Sequence, residues 1–503
     1  MDPGGRTATG APRRRRFRAV VIAAASATLL LPTAGASGGM QKKPLTLGTA
    51  DPGYLTSDDE RREQLFDRTI TAGAQVVRLN AFWFRIGAAP GLEASPDAQR
   101  DPANPLYDFT ALDAAVREAD ARGLDVIITI QRAPRWAEGE NRPNQLDDGV
   151  WKPDLAAFGR FSQAVAERYS GAFAPSTGST LPRVRYFQPW NEPNLRNHLM
   201  PQYDQETGEA VSVDAYRELL AEAVDGIRAA DAIRRPGGPA STIVVAGTSP
   251  IESVPPSEGV EGTRVGPERF WREFLCLDPE LEPIPASDCP RAEFDVFDHH
   301  PITQMDPRIP GPGDSVRIAD YPDLTRLVRA AEAADTVLPL DRTRPLWATE
   351  IYWKTNPPST RASGVPLETA AAYLQRGIKM LYDDGVSLQI NFFLADLPKL
   401  TTIPYRPGGL LYNDLEPKPS FTAFRFPFVA DRITWKRVSA WGRSPSTGRL
   451  RIQRRAGGRW KLVKEVPVRR GAPFRVRLRL TGRAPLRAKV GGDMSLVYRY
   501  PTG

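Results

Sequence analysis

Hydrophobic and polar positions along most of the chain repeat in one order: a short apolar run, then a longer stretch with helical periodicity. The eight apolar runs lie at 45–48, 76–81, 126–130, 184–189, 243–246, 294–297, 346–349 and 388–393. Such runs are typical of parallel strands buried on both faces and connected by helices. The order predicts an α/β fold, a (β/α)8 TIM barrel. The alternative is an open doubly wound sheet, but the glycine-rich phosphate turn expected after its first strand is missing from the sequence.

The segments between the apolar runs carry helix start and stop signals. Thr110 and Ser212 precede amphipathic patterns and are predicted to be N-caps. Pro366 is predicted to open a helix over 367–384, because proline is favoured in the first helical turn. Gly123 and Gly385 are predicted to end helices, because glycine adopts the left-handed conformation found at helix C-termini.

The pattern changes near residue 430 to short runs that alternate with period 2 between Gly and Pro turns. This alternation predicts a small all-β, sandwich-like accessory domain over 431–503. The segment holds 20 Lys and Arg residues against three acidic residues, a net charge of +17. Because the whole chain has a charge of +8 and residues 1–36 contribute +5, residues 37–430 carry −14. An acidic core domain is therefore joined to a basic one.

The first 36 residues have the pattern of an export signal. Five arginines between positions 13 and 18 precede an apolar segment at 19–31, and small residues at 34–36 match a cleavage site. The apolar segment is short for a membrane span, which needs about 20 residues. We therefore predict a signal peptide at 1–36, a core domain at 37–430 and secretion. An uncleaved N-terminal anchor is the alternative.

Cysteine and histidine usage bears on disulfides and metals. Cys276 and Cys289 lie 13 positions apart, and in an exported protein such a pair is predicted to form a disulfide. The chain has three histidines, so a structural zinc site is not expected. No metal or organic cofactor is implied by the sequence.

Two glutamates follow predicted strands of the barrel. Glu192 lies in "YFQPWNEPNL" after the fourth apolar run, and Glu350 lies in "RPLWATEIYW" after the seventh. Active sites of such barrels form at the carboxyl ends of the strands. Two facing carboxyl groups are what hydrolysis of a glycosidic bond requires, one as proton donor and one as nucleophile.

These motifs resemble those of the retaining clan A glycoside hydrolases, nearest to families 5 and 39, which include cellulases and β-xylosidases; the likeness covers roughly residues 44–428. The resemblance implies that Glu192 is the acid/base and Glu350 the nucleophile. It assigns Asn191 to the sugar 2-hydroxyl. It also implies that Arg78, in "VVRLNAFW", steadies the nucleophile, and that His300, in "DVFDHHPI", lines the site.

Further segments extend the resemblance, and two positions depart from it. "PRWA" at 134–137 is similar to the turn after strand three, and "KPSFTAF" from Lys418 is similar to the segment that closes these barrels. Ile302 stands where the family often has a tyrosine that bonds the nucleophile. Phe392 and Phe393 stand where it often has a tryptophan platform. These departures affect the expected sugar contacts and leave both carboxylates in place.

Aromatic and imidazole groups are the remaining candidates for substrate contact. Trp136, Trp190 and Trp353 are candidates for stacking on sugar rings, with plain core packing as the alternative. His299 and His300 are adjacent, so on a strand they point to opposite faces and only one can enter the site. His300 is the predicted one.

The sequence therefore predicts a secreted, monomeric retaining O-glycosidase acting on a poly- or oligosaccharide; it does not name the sugar. The alternatives are a transglycosidase of the same clan and a non-catalytic polysaccharide-binding protein. The basic domain suits anionic cell-wall or polysaccharide contact, or is an inert module. A nucleic-acid partner is not expected, because the protein is predicted to be exported and its core domain is acidic.

Overall fold

The computed structural model describes Met1 and residues 45–500, with gaps at 177, 256–262, 360–363 and 398–406. Apart from Met1, the predicted signal peptide lies outside the described residues. Within those ranges no helix is long and apolar enough to cross a membrane. The described residues from 45 onwards form one compact unit.

Eight parallel strands form the central sheet, and each overlaps one predicted run. They are β1 (Thr46–Ala50), β2 (Val76–Phe82), β3 (Asp125–Gln131), β4 (Tyr186–Pro189), β5 (Thr242–Ile243), β6 (Phe297–Asp298), β7 (Leu346–Ile351) and β8 (Val386–Phe392). The order across the sheet is β5-β4-β3-β2-β1-β8-β7-β6. A parallel bridge between Val244 and Val296 joins the two ends. The sheet therefore closes, and the predicted (β/α)8 barrel is confirmed.

Helices occupy the crossovers between the strands. They are α1 (Gly53–Thr56), α2 (Asp59–Thr71), α3 (Trp83–Ile86), α4 (Pro96–Arg100), α5 (Thr110–Ala121), α6 (Leu155–Arg168), α7 (Val211–Arg234), α8 (Pro267–Phe274), α9 (Tyr321–Ala333), α10 (Leu367–Asp383) and α11 (Pro419–Arg425). Their apolar faces and the outer faces of the strands share one large buried cluster. The strands are thus covered on the outside, which explains their continuous apolar runs.

Both predicted N-caps are wrong, whereas the predicted helix ends are confirmed. Thr110 is the first residue of α5. The backbone N–H of Thr110 donates a hydrogen bond to the Asp108 carboxylate at 3.1 Å. Ser212 lies inside α7 and is fully buried. A cap requires extended backbone at that position, and the local pattern does not specify this. Gly123 and Gly385 follow α5 and α10 with φ of 66° and 100°.

The interior of the barrel changes from apolar to polar towards the carboxyl ends of the strands. A small buried cluster that includes Val76 and Ile127 fills the lower part. Two residues further along the same strands, Arg78 and Thr129 point inwards, and Gln188 does so on β4. Since side chains alternate along a strand, each of these three strands delivers an apolar and then a polar residue to the interior. The polar layer forms the floor of the candidate site.

The C-terminal region contains two antiparallel sheets, as the period-2 pattern predicted. Its strands are β9 (Phe428–Thr434), β10 (Arg437–Arg443), β11 (Gly448–Ala456), β12 (Arg459–Val468), β13 (Pro473–Arg479), β14 (Leu486–Val490) and β15 (Asp493–Met494). The sheet orders are β9-β10-β13 and β12-β11-β14-β15. The two sheets share a hydrophobic cluster of their own. β9 spans the domain boundary placed between 430 and 431.

The two cysteines are bonded to each other, which confirms the predicted disulfide between Cys276 and Cys289. The bond closes the segment that follows α8 and precedes β6. It therefore joins the two ends of one loop, which are 13 positions apart in the sequence.

Candidate active site

A β-bulge in β7 places two consecutive side chains inside the barrel. Ala348 pairs with Gln389 and Ile351 with Asn391, so two residues of β7 oppose one residue of β8. Because of the extra residue, Thr349 and Glu350 both reach interior partners, although neighbours on a regular strand point to opposite faces. The bulge thus presents the predicted nucleophile and a hydroxyl at the same place.

Glu192 reaches the barrel mouth through a tight backbone turn after β4. Trp190 and Glu192 have φ of 73° and 41°, values that non-glycine residues rarely adopt. The Glu192 N–H donates to the carbonyl of Gly247 at 2.9 Å, and the Trp190 N–H donates to Ile130 at 2.7 Å. Such conformations cost free energy and persist where surrounding contacts hold them. Here the bonds turn the Glu192 carboxyl group towards β7.

Glu192 and Glu350 face each other with His300 between them. One ligand atom from each of these three residues lies within 4.8 Å of the other two. His300 Nδ1 is 3.1 Å from Glu192 Oε1 and 3.7 Å from Glu350 Oε1. The structure therefore brings together both predicted carboxylates and the predicted histidine.

Arg78 connects the nucleophile candidate to the floor of the site. Its Nη1 donates to Glu350 Oε1 at 2.8 Å, and its Nη2 donates to Asn191 Oδ1. Its Nε donates to Thr129 and to Gln188, both at 2.8 Å. The side chain is buried, and three of its nitrogens are directed at four oxygens, which fixes the orientation of the guanidinium. Arg78 thus links Glu350 to Asn191.

A buried chain of hydrogen bonds runs from the floor to His300. Gln188 Nε2 donates to Asp298 Oδ2 at 2.7 Å, and the Thr349 hydroxyl donates to the same oxygen. Burial raises the pKa of Asp298, while nearby His300 and Thr349 oppose that shift. Burial also lowers the pKa of His300, so its imidazole is neutral. Because the Thr349 hydroxyl hydrogen is directed at Asp298, Thr349 Oγ1 accepts from His300 Nε2–H at 3.1 Å.

A second histidine, His198, was missed by the sequence analysis. Its Nε2 lies 3.3 Å from Glu192 Oε2, and its Nδ1 lies 3.4 Å from Asn191 Nδ2. An amide nitrogen only donates, so Nδ1 accepts and Nε2 carries the hydrogen that points at Glu192. The signal available in the sequence was the scarcity of histidine: the chain has three, and this one follows Glu192 by six residues.

Gly247 is a second residue that the sequence analysis overlooked. A Cβ at this position would lie 2.2 Å from His300 Nε2 and 2.8 Å from Asp298 Oδ2. Only glycine therefore lets the chain after β5 approach the imidazole this closely. The Gly247 carbonyl at the same time anchors the Glu192 N–H.

The three predicted tryptophan contacts are mostly engaged in packing. Trp190 is 1% exposed and packs edge-on against Phe158. The Trp353 and Trp136 indole N–H groups donate to the carbonyls of Met305 and Gly87, both at 2.9 Å. Trp190 and Trp353 are buried, so neither indole presents an open face to a sugar, and the packing alternative describes them better. Trp136 is half-buried.

His299 points away from the carboxylates, as expected for a neighbour of His300. Its Nδ1 lies 2.9 Å from Thr248 Oγ1, and its Nε2 donates to the carbonyl of Val316 at 2.8 Å. Burial lowers its pKa from 6.5 to about 3. The neutral imidazole is therefore part of the folded core.

This lowered pKa predicts acid destabilisation. Below pH 6.5 the unfolded chain takes up a proton at His299 that the folded chain refuses, so folding stability falls as the pH falls. We expect a loss of roughly 1.4 kcal/mol per pH unit from this group alone. The free energy of unfolding, measured by urea titration between pH 7 and about pH 4.5, should fall less steeply for His299→Gln, whose amide can bond both Thr248 and Val316. Equal slopes for the two proteins would contradict the expectation.

The Glu192, His300 and Glu350 atoms could in principle hold a metal ion. However, Glu350 Oε1 already bonds to the fixed positive charge of Arg78, and His300 Nδ1 lies within hydrogen-bond distance of Glu192. A cation there would meet the guanidinium at close range. The donor set fits proton handling better than metal binding.

Comparison with known proteins identifies solved structures that are similar in fold to this chain. No protein-family model and no curated protein matches the chain. A solved family 39 glycoside hydrolase from the gut symbiont Bacteroides cellulosilyticus WH2 is 16% identical, with a TM-score of 0.51; the match covers 87% of this chain and 81% of that one. A glucosidase from Croceicoccus marinus is 14% identical, also with a TM-score of 0.51, covering 88% of this chain and 94% of that one. The chain is therefore similar in fold to glycoside hydrolases, which confirms the resemblance to clan A at the level of the fold.

Proposed function

We propose that the protein is a secreted retaining glycosidase, with Glu192 as acid/base and Glu350 as nucleophile. The observation that carries this proposal is the separation of the two carboxyl groups, whose nearest atoms lie within 4.8 Å. Retaining glycosidases hold their carboxyl groups about 5–5.5 Å apart, whereas inverting enzymes need about 6.5–9.5 Å to admit a water molecule. The separation supports a retaining mechanism over an inverting one.

In the first step, Glu350 attacks the anomeric carbon while the bond to the leaving oxygen breaks. That oxygen takes the proton of Glu192, so the products are a glycosyl ester on Glu350, the free alcohol and a Glu192 carboxylate. In the second step, a water molecule gives its proton to Glu192 and attacks the same carbon, which releases Glu350. Arg78 stabilises the Glu350 charge before and after the reaction and holds its orientation.

The two histidines determine where the Glu192 proton lies. His198 Nε2–H points at Glu192 Oε2, so that oxygen accepts. His300 gives its single hydrogen to Thr349, so Nδ1 presents a lone pair to Glu192 Oε1. Two acceptors cannot share a contact of 3.1 Å without a hydrogen, which favours the protonated form of Glu192. The resting enzyme is then ready for the first step.

Asn191 is proposed to bind the substrate. Arg78 fixes its Oδ1, so its Nδ2 faces the site, where one hydrogen points at His198 and the second can reach a sugar hydroxyl. A non-catalytic polysaccharide-binding protein has no need of a strained acid opposite a buried Arg78–Glu350 pair, because both features cost folding free energy. A transglycosidase would use the same residues with a sugar acceptor in place of water.

The test is a panel of aryl β-glycosides and polysaccharides, assayed with protein starting near residue 37. For a substrate that responds, proton NMR during the first minutes should show the product with the anomeric configuration of the substrate. Appearance of the opposite anomer would refute the retaining mechanism. No turnover on any glycoside, together with glycan binding that Glu350→Gln leaves unchanged, would favour the non-catalytic alternative.

The proton arrangement predicts a specific effect of Thr349→Val. Without the hydroxyl, His300 can move its hydrogen to Nδ1 and donate to Glu192, which favours the carboxylate form. We expect kcat/KM at neutral pH to fall about tenfold, the effect of one altered hydrogen bond, and the alkaline limit of activity to move to lower pH. Thr349→Ser keeps the hydroxyl and should retain the parent profile. A uniform loss at all pH values in both variants would contradict this role.

A further inference from the structure

The C-terminal sheets contain far more cations than their acidic residues can balance. The three acidic side chains of residues 431–503 are already engaged: Asp431 with Arg376 at 2.6 Å, Asp493 with Arg425 at 2.6 Å, and Glu465 with Arg449. Arg376 and Arg425 belong to barrel helices α10 and α11, so two of the three serve to attach the domain. Most of the 20 cations therefore lack an internal counter-charge.

Four of these cations line one cleft, where strands of the two sheets come together. Lys436, Arg437, Arg454 and Arg479 form its wall together with Leu480 and Thr481. The lining contains no carboxylate, and in the described part of the chain none of the four cations makes an ion pair.

The strand register adds to the electrostatic cost. Arg437 of β10 lies directly opposite Arg479 of β13, and like charges in that position destabilise a sheet. An anion in the cleft would remove this repulsion. Guanidinium groups suit that role because they bind carboxylates and sulfates through paired, in-plane hydrogen bonds.

An exposed aromatic ring stands beside the cleft. Trp435, in the turn between β9 and β10, is 68% exposed, and the Lys436 ammonium lies 4.1 Å from its ring centre. Such a large exposed fraction is unusual for tryptophan, which is mostly buried in folded proteins. An indole face next to cations matches a sugar ring that carries an acidic group, since the ring stacks and the acid pairs.

We propose that this cleft binds an anionic polysaccharide, with Trp435 as stacking platform and Arg437 and Arg479 as the acid-binding pair. A concave site between strand ends fits a polysaccharide chain, whereas binding to an anionic lipid surface would require a broad, convex basic face. The proposal does not depend on catalysis in the barrel, because the cleft residues belong to the C-terminal sheets. In this proposal, the accessory domain attaches the protein to acidic carbohydrate.

The test uses the full chain from residue 37 and measures binding to polygalacturonate by calorimetry at low and at moderate salt. We expect Arg437→Gln with Arg479→Gln to weaken binding at least tenfold. Trp435→Ala should weaken it to a similar extent, and this loss should persist at moderate salt, because stacking is not screened. The control is Arg449→Gln with Arg451→Gln, which removes the same charge next to Glu465 and should change binding less than twofold.

Equal losses in the cleft variant and the control would overturn the proposal, because they would show diffuse charge attraction instead of a site. Stronger binding to phosphatidylserine vesicles or to single-stranded DNA than to polygalacturonate would also overturn it, and a sulfated polysaccharide in a parallel arm identifies the preferred acid. Unchanged circular dichroism verifies that each variant is folded. Since binding is measured without turnover, a failed glycosidase assay leaves this result interpretable.

Discussion

Replacing Glu350 with glutamine is expected to lower kcat by a factor on the order of 10⁴ to 10⁶, as for removal of other catalytic nucleophiles. An amide does not form the glycosyl ester, so the first step loses its nucleophile. The amide oxygen can still accept from Arg78, which lies 2.8 Å from Glu350 Oε1, but the buried guanidinium loses its counter-charge. We therefore also expect a lower free energy of unfolding, by about 3–5 kcal/mol.

Two further variants separate catalysis from folding. Glu350→Asp keeps the charge and most of the stability, but it withdraws the carboxylate by about one bond length, and a misplacement of about 1 Å can cost on the order of 10²-fold in rate. Glu218→Gln alters an exposed glutamate of α7 and should leave both activity and stability unchanged. Activity of Glu350→Gln within tenfold of the parent would remove Glu350 from the mechanism.

Replacing Glu192 with alanine is expected to have an effect that depends on the leaving group. For substrates with a poor leaving group, kcat/KM should fall by about 10²- to 10⁴-fold, because the departing oxygen receives no proton. For a dinitrophenyl glycoside, whose leaving group needs no proton, kcat/KM should change little. The second step then becomes slow, since no base activates water, and a burst of dinitrophenol should precede slow turnover.

Azide provides the decisive measurement for Glu192. Removing the side chain opens space next to the glycosyl ester, and an anion that needs no general base can enter there. We expect azide to accelerate turnover of Glu192→Ala and to yield a glycosyl azide of retained configuration, with no acceleration for the parent. If kcat/KM falls equally for good and poor leaving groups and azide has no effect, Glu192 is not the acid/base.

The architecture and the two carboxylates were predictable because they depend on local pattern. Buried parallel strands leave apolar runs, and amphipathic helices leave a 3.6-residue period. The positions directly after the fourth and seventh apolar runs identify Glu192 and Glu350. The excess positive charge near the C-terminus was likewise predictable, because it follows from the numbers of basic and acidic residues. Each of these features can be predicted from residues that are close together in the sequence.

The remaining features depend on residues that are distant in sequence and adjacent in space. The bulge that turns Thr349 inwards is defined by pairing with β8, and the hydrogen direction at His300 is set by Asp298 and Thr349 together. His198 gains its role from its distance to Glu192. Trp190 is buried, and Ser212 lies inside α7 instead of capping it. Both results depend on tertiary packing, which a local sequence motif does not specify.

By itself, the sequence determined the fold class, the strand-end carboxylates, the disulfide and the charge division, because periodicity, residue type and composition are properties of the chain. Only the tertiary structure decided which side chains orient the acid and which arginines face each other in the basic cleft. Hydrogen-bond direction and charge repulsion both depend on separations of a few ångströms, and those separations exist only once the strands have paired.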